Sequence, residues 1–143
     1  MIFIDTGAWF ALEDANDRHH AAATTIRARI SKGEYGGVVT SDHVLDETLT
    51  HLALKGGVAA AGSFLDRLRG TTSVQVLWIG EDLFWKATDL LRSRGDKEWS
   101  FTDCTSFVAM EALGIRTAFS FDRHFAQAGF EVVPDLATGS GRT

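Results

Sequence analysis

The 143-residue sequence has one cysteine and no long apolar run, and each shortage excludes a class of protein. Cys104 has no partner for a disulfide within the chain, which is typical of a reducing compartment. No segment approaches the roughly 20 consecutive apolar residues of a membrane-spanning helix. The apolar N-terminal run, Met1 to Ile4, is short and has no charged leader, so no secretory signal is expected. These features predict a cytoplasmic protein without membrane segments.

Positive charge is also scarce, since 14 lysines and arginines face 19 aspartates and glutamates, for a formal net charge of −5. A chain of this charge has no broad basic field to hold a duplex by counterion release. A bound metal ion and a few arginines can nevertheless make a local surface attractive to phosphate. The composition therefore allows a nucleic acid substrate only at a locally cationic site.

Short apolar runs alternate with segments of helical periodicity, which predicts an α/β fold. We expect a three-layer α/β/α arrangement with a central parallel sheet of four to five strands. One domain should occupy residues 1–133, and a flexible tail should follow at residues 134–143. The predicted strands are 1–5, 37–40, 74–79, 117–121 and, as a possible fifth, 130–133, and the main predicted helices are 8–12, 16 or 17–31, 43–55, 58–68, 81–91 and 101–113.

Four acidic residues lie where predicted strands end or on predicted helices: Asp5, Glu47, Asp103 and Asp122. The carboxyl ends of parallel strands share one edge of a sheet, so we expect these side chains to converge there. Carboxylates at close range repel each other unless a cation neutralises them, and a hard cation such as Mg²⁺ prefers oxygen ligands. The pattern predicts metal-assisted cleavage of a phosphodiester bond.

Each acid also has a structural interpretation. Asp5 precedes Thr6 and Gly7 in a sequence typical of turns, and Asp122 is positioned to cap a short helix at 124–127. Asp103 lies three residues after Ser100, which resembles half of a capping box. Glu47 has a direct rival in its neighbour Asp46, and helical periodicity does not decide which of the two faces the site.

The ordered set of motifs resembles the PIN-domain ribonucleases, in particular the VapC-like toxins of toxin–antitoxin modules, over residues 1 to about 133. No single motif is specific, but their order is. The matching segments are Ile4-Asp5-Thr6-Gly7-Ala8-Trp9, Val44-Leu45-Asp46-Glu47-Thr48, Trp99-Ser100-Phe101-Thr102-Asp103-Cys104 and Ala118-Phe119-Ser120-Phe121-Asp122-Arg123-His124-Phe125.

The resemblance implies a Mg²⁺-dependent endoribonuclease, with Mn²⁺ as a substitute ion, whose products carry a 5′ phosphate. It implies that the metal ligands are the four acids, Asp5, Glu47, Asp103 and Asp122, and that Thr6 and Ser120 support them. It further implies an RNA substrate, a cognate antitoxin and a homodimer. Two alternatives stay open: a PIN-domain nuclease of RNA processing outside a toxin–antitoxin module, and a catalytically silent acidic module. His124 departs from the family, which often has an acid at this position.

Aromatic and basic residues supply candidates for contact with RNA. Trp99, beside the predicted site helix, is the expected base-stacking residue, and Arg123 is the expected phosphate contact. We expect Trp78 and Trp85 to belong to the core instead.

Other enzyme and regulatory classes lack their signatures in this chain. A phospho-receiver domain needs an acid after the third strand, where Gly80 stands, and a dehalogenase-like phosphatase needs a second acid at the position of Gly7. His43 and His51 are eight residues apart, without the spacing of a zinc protease.

Overall fold

Five short parallel strands form the central sheet of the computed structural model, which describes residues 1–135. Their order across the sheet is β3-β2-β1-β4-β5, so β1 lies at the centre. Phe3 of β1 pairs with Val39 on one side and with Ala118 on the other. The prediction of a four- to five-stranded parallel sheet is confirmed, with five strands: β1 Ile2–Ile4, β2 Val38–Ser41, β3 Val74–Leu77, β4 Thr117–Phe119 and β5 Glu131–Val133.

Within residues 1–135, six helices flank this sheet, which confirms the predicted α/β/α class. They are α1 Thr6–Glu13, α2 His20–Ser31, α3 Asp42–Gly70, α4 Glu81–Ser93, α5 Phe101–Leu113 and α6 His124–Gln127. Among the described residues, no helix is both long and apolar enough to cross a membrane. Residues 136–143, most of the predicted flexible tail, lie outside the described part of the chain.

Polar caps fix the start of the two helices that carry acidic candidates. The Ser41 hydroxyl accepts a hydrogen bond from the Val44 amide at the start of α3, as the sequence predicted. At the start of α5, Ser100 and Asp103 form a complete capping box. By contrast, α2 begins at His20, later than predicted, because the Asp17 carboxylate accepts from the His19 amide within the preceding turn.

Helix α3 is bent at Gly57, where φ is 79° and ψ is 176°. The sequence predicted two separate helices divided at Gly56 and Gly57. The structure keeps helical geometry on both sides and places one non-helical residue between them. A positive φ is accessible to glycine without the steric penalty of a side chain, which explains why the bend occurs there.

Aromatic rings fill much of the core, with Phe3, Phe119 and Phe125 fully buried. The prediction that Trp78 and Trp85 belong to this core is wrong, because their exposed fractions are 72% and 57%. Trp78 follows the edge strand β3, and Trp85 lies on α4 with its ring edge-on to Phe84.

Candidate metal centre

Two acids, Asp5 and Asp122, lie at the carboxyl ends of the neighbouring strands β1 and β4, and Ser120 lies between them. Asp5 directly follows β1, and its amide donates to the Phe119 carbonyl at the end of β4, at 3.0 Å. The Ser120 hydroxyl donates to Asp5 Oδ2 at 3.0 Å and accepts from the Asp122 amide at 3.3 Å. Ser120 thus ties the carboxylate after β1 to the backbone that carries the acid after β4.

Asp103 enters the same group from the first turn of α5. Its Oδ2 accepts from the Ser100 amide at 3.0 Å and lies 2.8 Å from His124 Nδ1. The side chain is almost fully buried. Asp103 therefore fits both interpretations of the sequence, the helix cap and the acidic site. Its carboxylate closes the capping box and also lies beside His124.

Two carboxyls of this group have raised pKa values. Burial, followed by the charges of Asp122 and Asp103, raises the pKa of Asp5 to about 8. Burial is also the main reason why the pKa of Asp103 is raised, and the Asp122 charge adds to it. Desolvation and like charges disfavour ionisation, and the opposite charge of a divalent cation at this position would offset both effects.

His124 is the residue that the sequence interpretation missed. One ligand atom each from Asp103, Asp122 and His124 lie within 4.8 Å of one another, and the His124 amide donates to Asp122 Oδ1 at 2.8 Å. The sequence interpretation treated His124 only as the loss of a fifth carboxylate. Its position two residues after Asp122 was the available signal, because a turn at the end of β4 places both side chains near the same edge of the sheet.

Glu47 lies at the rim of this group and is joined to it through Thr6. The Thr6 hydroxyl donates to Glu47 Oε1 at 2.9 Å, and Thr6 directly follows Asp5. Both Glu47 and Asp46 are exposed, and both line the same shallow depression beside Thr6. The hydrogen bond from Thr6 favours Glu47 over Asp46 as the acid directed at the site.

The two RNA-contact candidates lie near the site in different environments. Trp99 is half-buried, meets Phe107 edge-on at 5.0 Å between ring centroids, and donates from its indole nitrogen to Gln127. Arg123 is 73% exposed and lies 3.7 Å from Glu98, an ion pair that contributes little in water. Arg123 is thus exposed enough to exchange Glu98 for a phosphate, whereas Trp99 already packs against the core, and both roles stay predictions.

The family model described as the PIN domain matches residues 2–131. The chain belongs to the PIN-domain family. The predicted resemblance to this family is confirmed, and the match covers β1 through the start of β5, including every acid of the site.

Relatives of this PIN-domain chain are ribonucleases of the VapC group. The chain is 41% identical over 136 residues to the 23S rRNA-specific endonuclease VapC20 of Mycobacterium tuberculosis. The aligned region covers 94% of this chain and 100% of the relative. The chain is 30% identical over 124 residues to a VapC ribonuclease of Archaeoglobus fulgidus, spanning 86% of this chain and 78% of the relative. The predicted assignment to the VapC-like endoribonucleases is confirmed.

One solved structure agrees with this assignment, and a second shares the fold. The crystal structure of M. tuberculosis VapC20, described as a sarcin–ricin loop cleaving toxin, superimposes with a TM-score of 0.83 at 38% identity and covers 91% of this chain and 96% of that one. FitAcB from Neisseria gonorrhoeae superimposes with a TM-score of 0.63 at 18% identity, covering 92% and 96% of the two chains. The second likeness supports the fold alone.

The residues of the PIN-domain site fit the metal dependence of the family. Carboxylate oxygens from two strand ends and one helix start converge, and burial raises the pKa of the Asp5 and Asp103 carboxyls. Oxygen donors of this kind suit Mg²⁺ and Mn²⁺.

Proposed function

We propose that this PIN-domain chain is a toxin that hydrolyses RNA with a Mg²⁺ ion held by Asp5, Asp103 and Asp122, with Glu47 completing the acidic rim. The supporting observation is the convergence of three buried or half-buried carboxyls at the ends of β1 and β4 and at the start of α5. Two of the three carboxyls have raised pKa values, as expected of a group that is incomplete without a cation.

Each residue of the chain has a distinct task in the proposed reaction. Ser120 orients Asp5 through its hydroxyl, and Thr6 holds Glu47 toward the site. Ser100 fixes the Asp103 carboxylate through the backbone of the capping box. When bound, Mg²⁺ lowers the pKa of a water and stabilises the charge that develops at phosphorus. Hydrolysis then leaves a 5′ phosphate and a 3′ hydroxyl.

For the substrate we propose the sarcin–ricin loop of 23S rRNA, on the basis of the 41% identity to an endonuclease specific for 23S rRNA. The chain as a whole is acidic, so attraction for RNA must come from local charge. The candidates are Lys97 and Arg123, which line one depression with His124, Asp96 and Glu98. Each pairs with an exposed acid there, and exposed pairs of this kind are weak enough for a phosphate to replace the acid. Arg123 is the phosphate contact within this proposal, and Trp99 the candidate for stacking on a base.

Two protein partners belong to the same proposal. An antitoxin segment would cover the apolar side chains of α3 near its bend, where Leu54 and Val58 are 83% and 84% exposed. A second copy of the chain would cover the exposed tryptophans Trp78 and Trp85. Exposed apolar patches of this kind are typical of protein interfaces.

Cleavage of a synthetic RNA hairpin with the sarcin–ricin sequence tests the proposed function. We expect Mg²⁺-dependent cleavage that EDTA stops and Mn²⁺ restores. Asp103→Asn should lose at least about 100-fold in rate, since metal-assisted hydrolysis needs this ligand. The matched control is Asp66→Asn, because Asp66 is an exposed acid on α3 away from the site, and it should cleave like the wild type.

The other outcomes separate the alternatives. A chain that cleaves other RNA but leaves the hairpin intact would contradict the proposed substrate and favour a nuclease of RNA processing. A folded chain that binds Mg²⁺ and cleaves no RNA would favour the catalytically silent module.

A further inference from the structure

His124 gives this site a nitrogen donor among the carboxylates. Its Nδ1 lies 2.8 Å from Asp103 Oδ2 and 3.8 Å from Asp122 Oδ1. The imidazole is also only 22% exposed. An imidazole placed between two carboxylates can donate a hydrogen bond to one of them, or it can join them in binding one ion.

The spacing of the three groups is suited to a shared ion. In an octahedral site with bonds of about 2.1 Å, neighbouring ligand atoms lie roughly 3 Å apart and opposite ones about 4.2 Å apart. The distances from His124 Nδ1 to the two aspartates lie close to this range. The three ligand atoms together lie within 4.8 Å of one another.

The local backbone keeps the imidazole in place before an ion arrives. The His124 amide donates to Asp122 Oδ1 at 2.8 Å, which fixes the turn between the two residues. The ring then needs no new rotamer to face Asp103. This arrangement reduces the loss of side-chain entropy that binding would otherwise require.

We propose that His124 is a direct metal ligand through Nδ1, and that it makes the site favour Mn²⁺ over Mg²⁺ more strongly than a site built from carboxylates alone. This inference rests on the proposed metal site of Asp103 and Asp122. Its physical basis is donor type, because Mg²⁺ prefers oxygen while imidazole is a ligand of transition metals. His124 thereby sets which ion the nuclease uses.

Electron paramagnetic resonance of Mn²⁺ added to the purified, metal-free chain tests this inference without an activity assay. The free Mn²⁺ signal gives the affinity, and competition with Mg²⁺ gives the preference between the two ions. Pulsed measurements detect the magnetic coupling of a directly bound ¹⁴N nucleus. We expect this coupling in the wild type and in the control variant His43→Gln. The His43 ring lies beside Asp42 and Phe101, away from the three acids.

His124→Asp should remove the nitrogen coupling and keep an ion site made of oxygen. We expect its preference for Mn²⁺ over Mg²⁺ to fall by about tenfold, in line with the effect of changing a residue that contacts a metal site. His124→Gln should weaken Mn²⁺ binding and also lack the coupling. Circular dichroism checks that each variant keeps the wild-type content of helix and strand.

Two results would overturn the inference in distinguishable ways. Tight Mn²⁺ binding that depends on Asp103 but shows no nitrogen coupling would mean that His124 only positions the Asp103 carboxylate, and the proposed function would stand. Mn²⁺ binding that is absent, or unchanged in Asp103→Asn, would remove the metal site itself and with it the proposed function.

Discussion

Asp5 couples the acidic site to the folding free energy of the chain. Its carboxyl is buried, and its pKa is raised from the ordinary value of 3.8 to about 8. Between these two pH values the folded chain keeps a proton that the unfolded chain has released. Without metal, the free energy of unfolding therefore falls as the pH rises from about 4 to 8. The stability that the protonated carboxyl contributes is fully present below the unfolded pKa of 3.8 and is lost as the pH rises through the folded pKa of about 8.

Replacement of this carboxyl separates stability from activity. We expect Asp5→Asn to raise the free energy of unfolding in EDTA by on the order of 1–3 kcal/mol at pH 8, and by less at pH 5, because one pKa unit corresponds to about 1.4 kcal/mol. The same variant should lose Mg²⁺-dependent cleavage. Urea unfolding at both pH values measures the effect, with Asp66→Asn as the control. If Asp5→Asn and the wild type had equal free energies of unfolding at pH 8, the raised pKa of the Asp5 carboxyl would be contradicted.

The pair Asp46 and Glu47 offers a matched comparison of two adjacent exposed acids. Only Glu47 accepts the hydrogen bond from Thr6, at 2.9 Å. We therefore expect Glu47→Gln to slow cleavage of the RNA hairpin by at least about tenfold, a typical loss for a group near a metal ligand. Asp46→Asn should change the rate by less than about threefold on the same scale. A larger loss of rate in Asp46→Asn than in Glu47→Gln would show that Asp46, not Glu47, is the acid that serves the site.

Some side chains of the site were predictable from sequence because strand ends place them. Asp5 and Asp122 follow predicted strands, and a parallel sheet brings such positions together. His124 was not predictable in this way, because its significance depends on the 2.8 Å approach to Asp103, 21 residues earlier in the chain. The choice between Asp46 and Glu47 likewise required the contact with Thr6, since both positions on α3 point to solvent.

At the scale of elements, helix α3 depends on one glycine for its bend. Gly57 has a φ of 79°, and a side chain added there meets no neighbour within 4 Å. The cost of a substitution is therefore backbone strain rather than a steric clash with another element. Gly62 lies in the same helix, has no positive φ and is equally open around its Cα.

These two glycines give opposite predictions for the same change. Gly57→Ala should lower the free energy of unfolding by about 1–3 kcal/mol, because φ of 79° with ψ of 176° is a backbone region essentially restricted to glycine. Gly62→Ala should raise it by about 0.5–1 kcal/mol, because alanine favours the helix interior. Chemical denaturation of both variants measures the two shifts. Destabilisation of similar size in both would mean that α3 needs flexibility on both sides of the bend.

Element boundaries were predictable where a polar cap or a glycine marks them. Ser41, Ser100 and Gly114 lie at the ends of α3 and α5, as the sequence indicated. The end of β3 was not marked in this way. The predicted strand included Trp78 and Ile79, but the Ile79 amide donates to Asp42 Oδ1 at 2.9 Å, so the chain leaves the sheet after Leu77.

On the scale of the whole molecule, the large exposed aromatic side chains of the described residues fall within one short stretch, residues 78–85. Trp78 follows the edge strand β3, and Phe84 and Trp85 lie on the next helix, α4, with their rings edge-on at 5.2 Å. The sequence periodicity could not reveal this exposure. Aromatic residues follow the same spacing whether they face the core or an exposed surface at the edge of the sheet. Aromatic residues in such positions commonly carry much of the binding energy of an interface.

The proposed homodimer predicts that these tryptophans control the molecular mass in solution. Light scattering should give twice the chain mass for the wild type at micromolar concentration. Trp85→Glu should weaken dimerisation by about 2 kcal/mol or more, roughly 30-fold, because a charge would replace a large apolar contact. Leu113→Glu is the control, since Leu113 is 44% exposed at the other end of the neighbouring helix α5 and should leave the dimer intact. A Trp85→Glu protein that stays fully dimeric would move the interface elsewhere, and the surface of Trp78 and Trp85 would then be open to another partner.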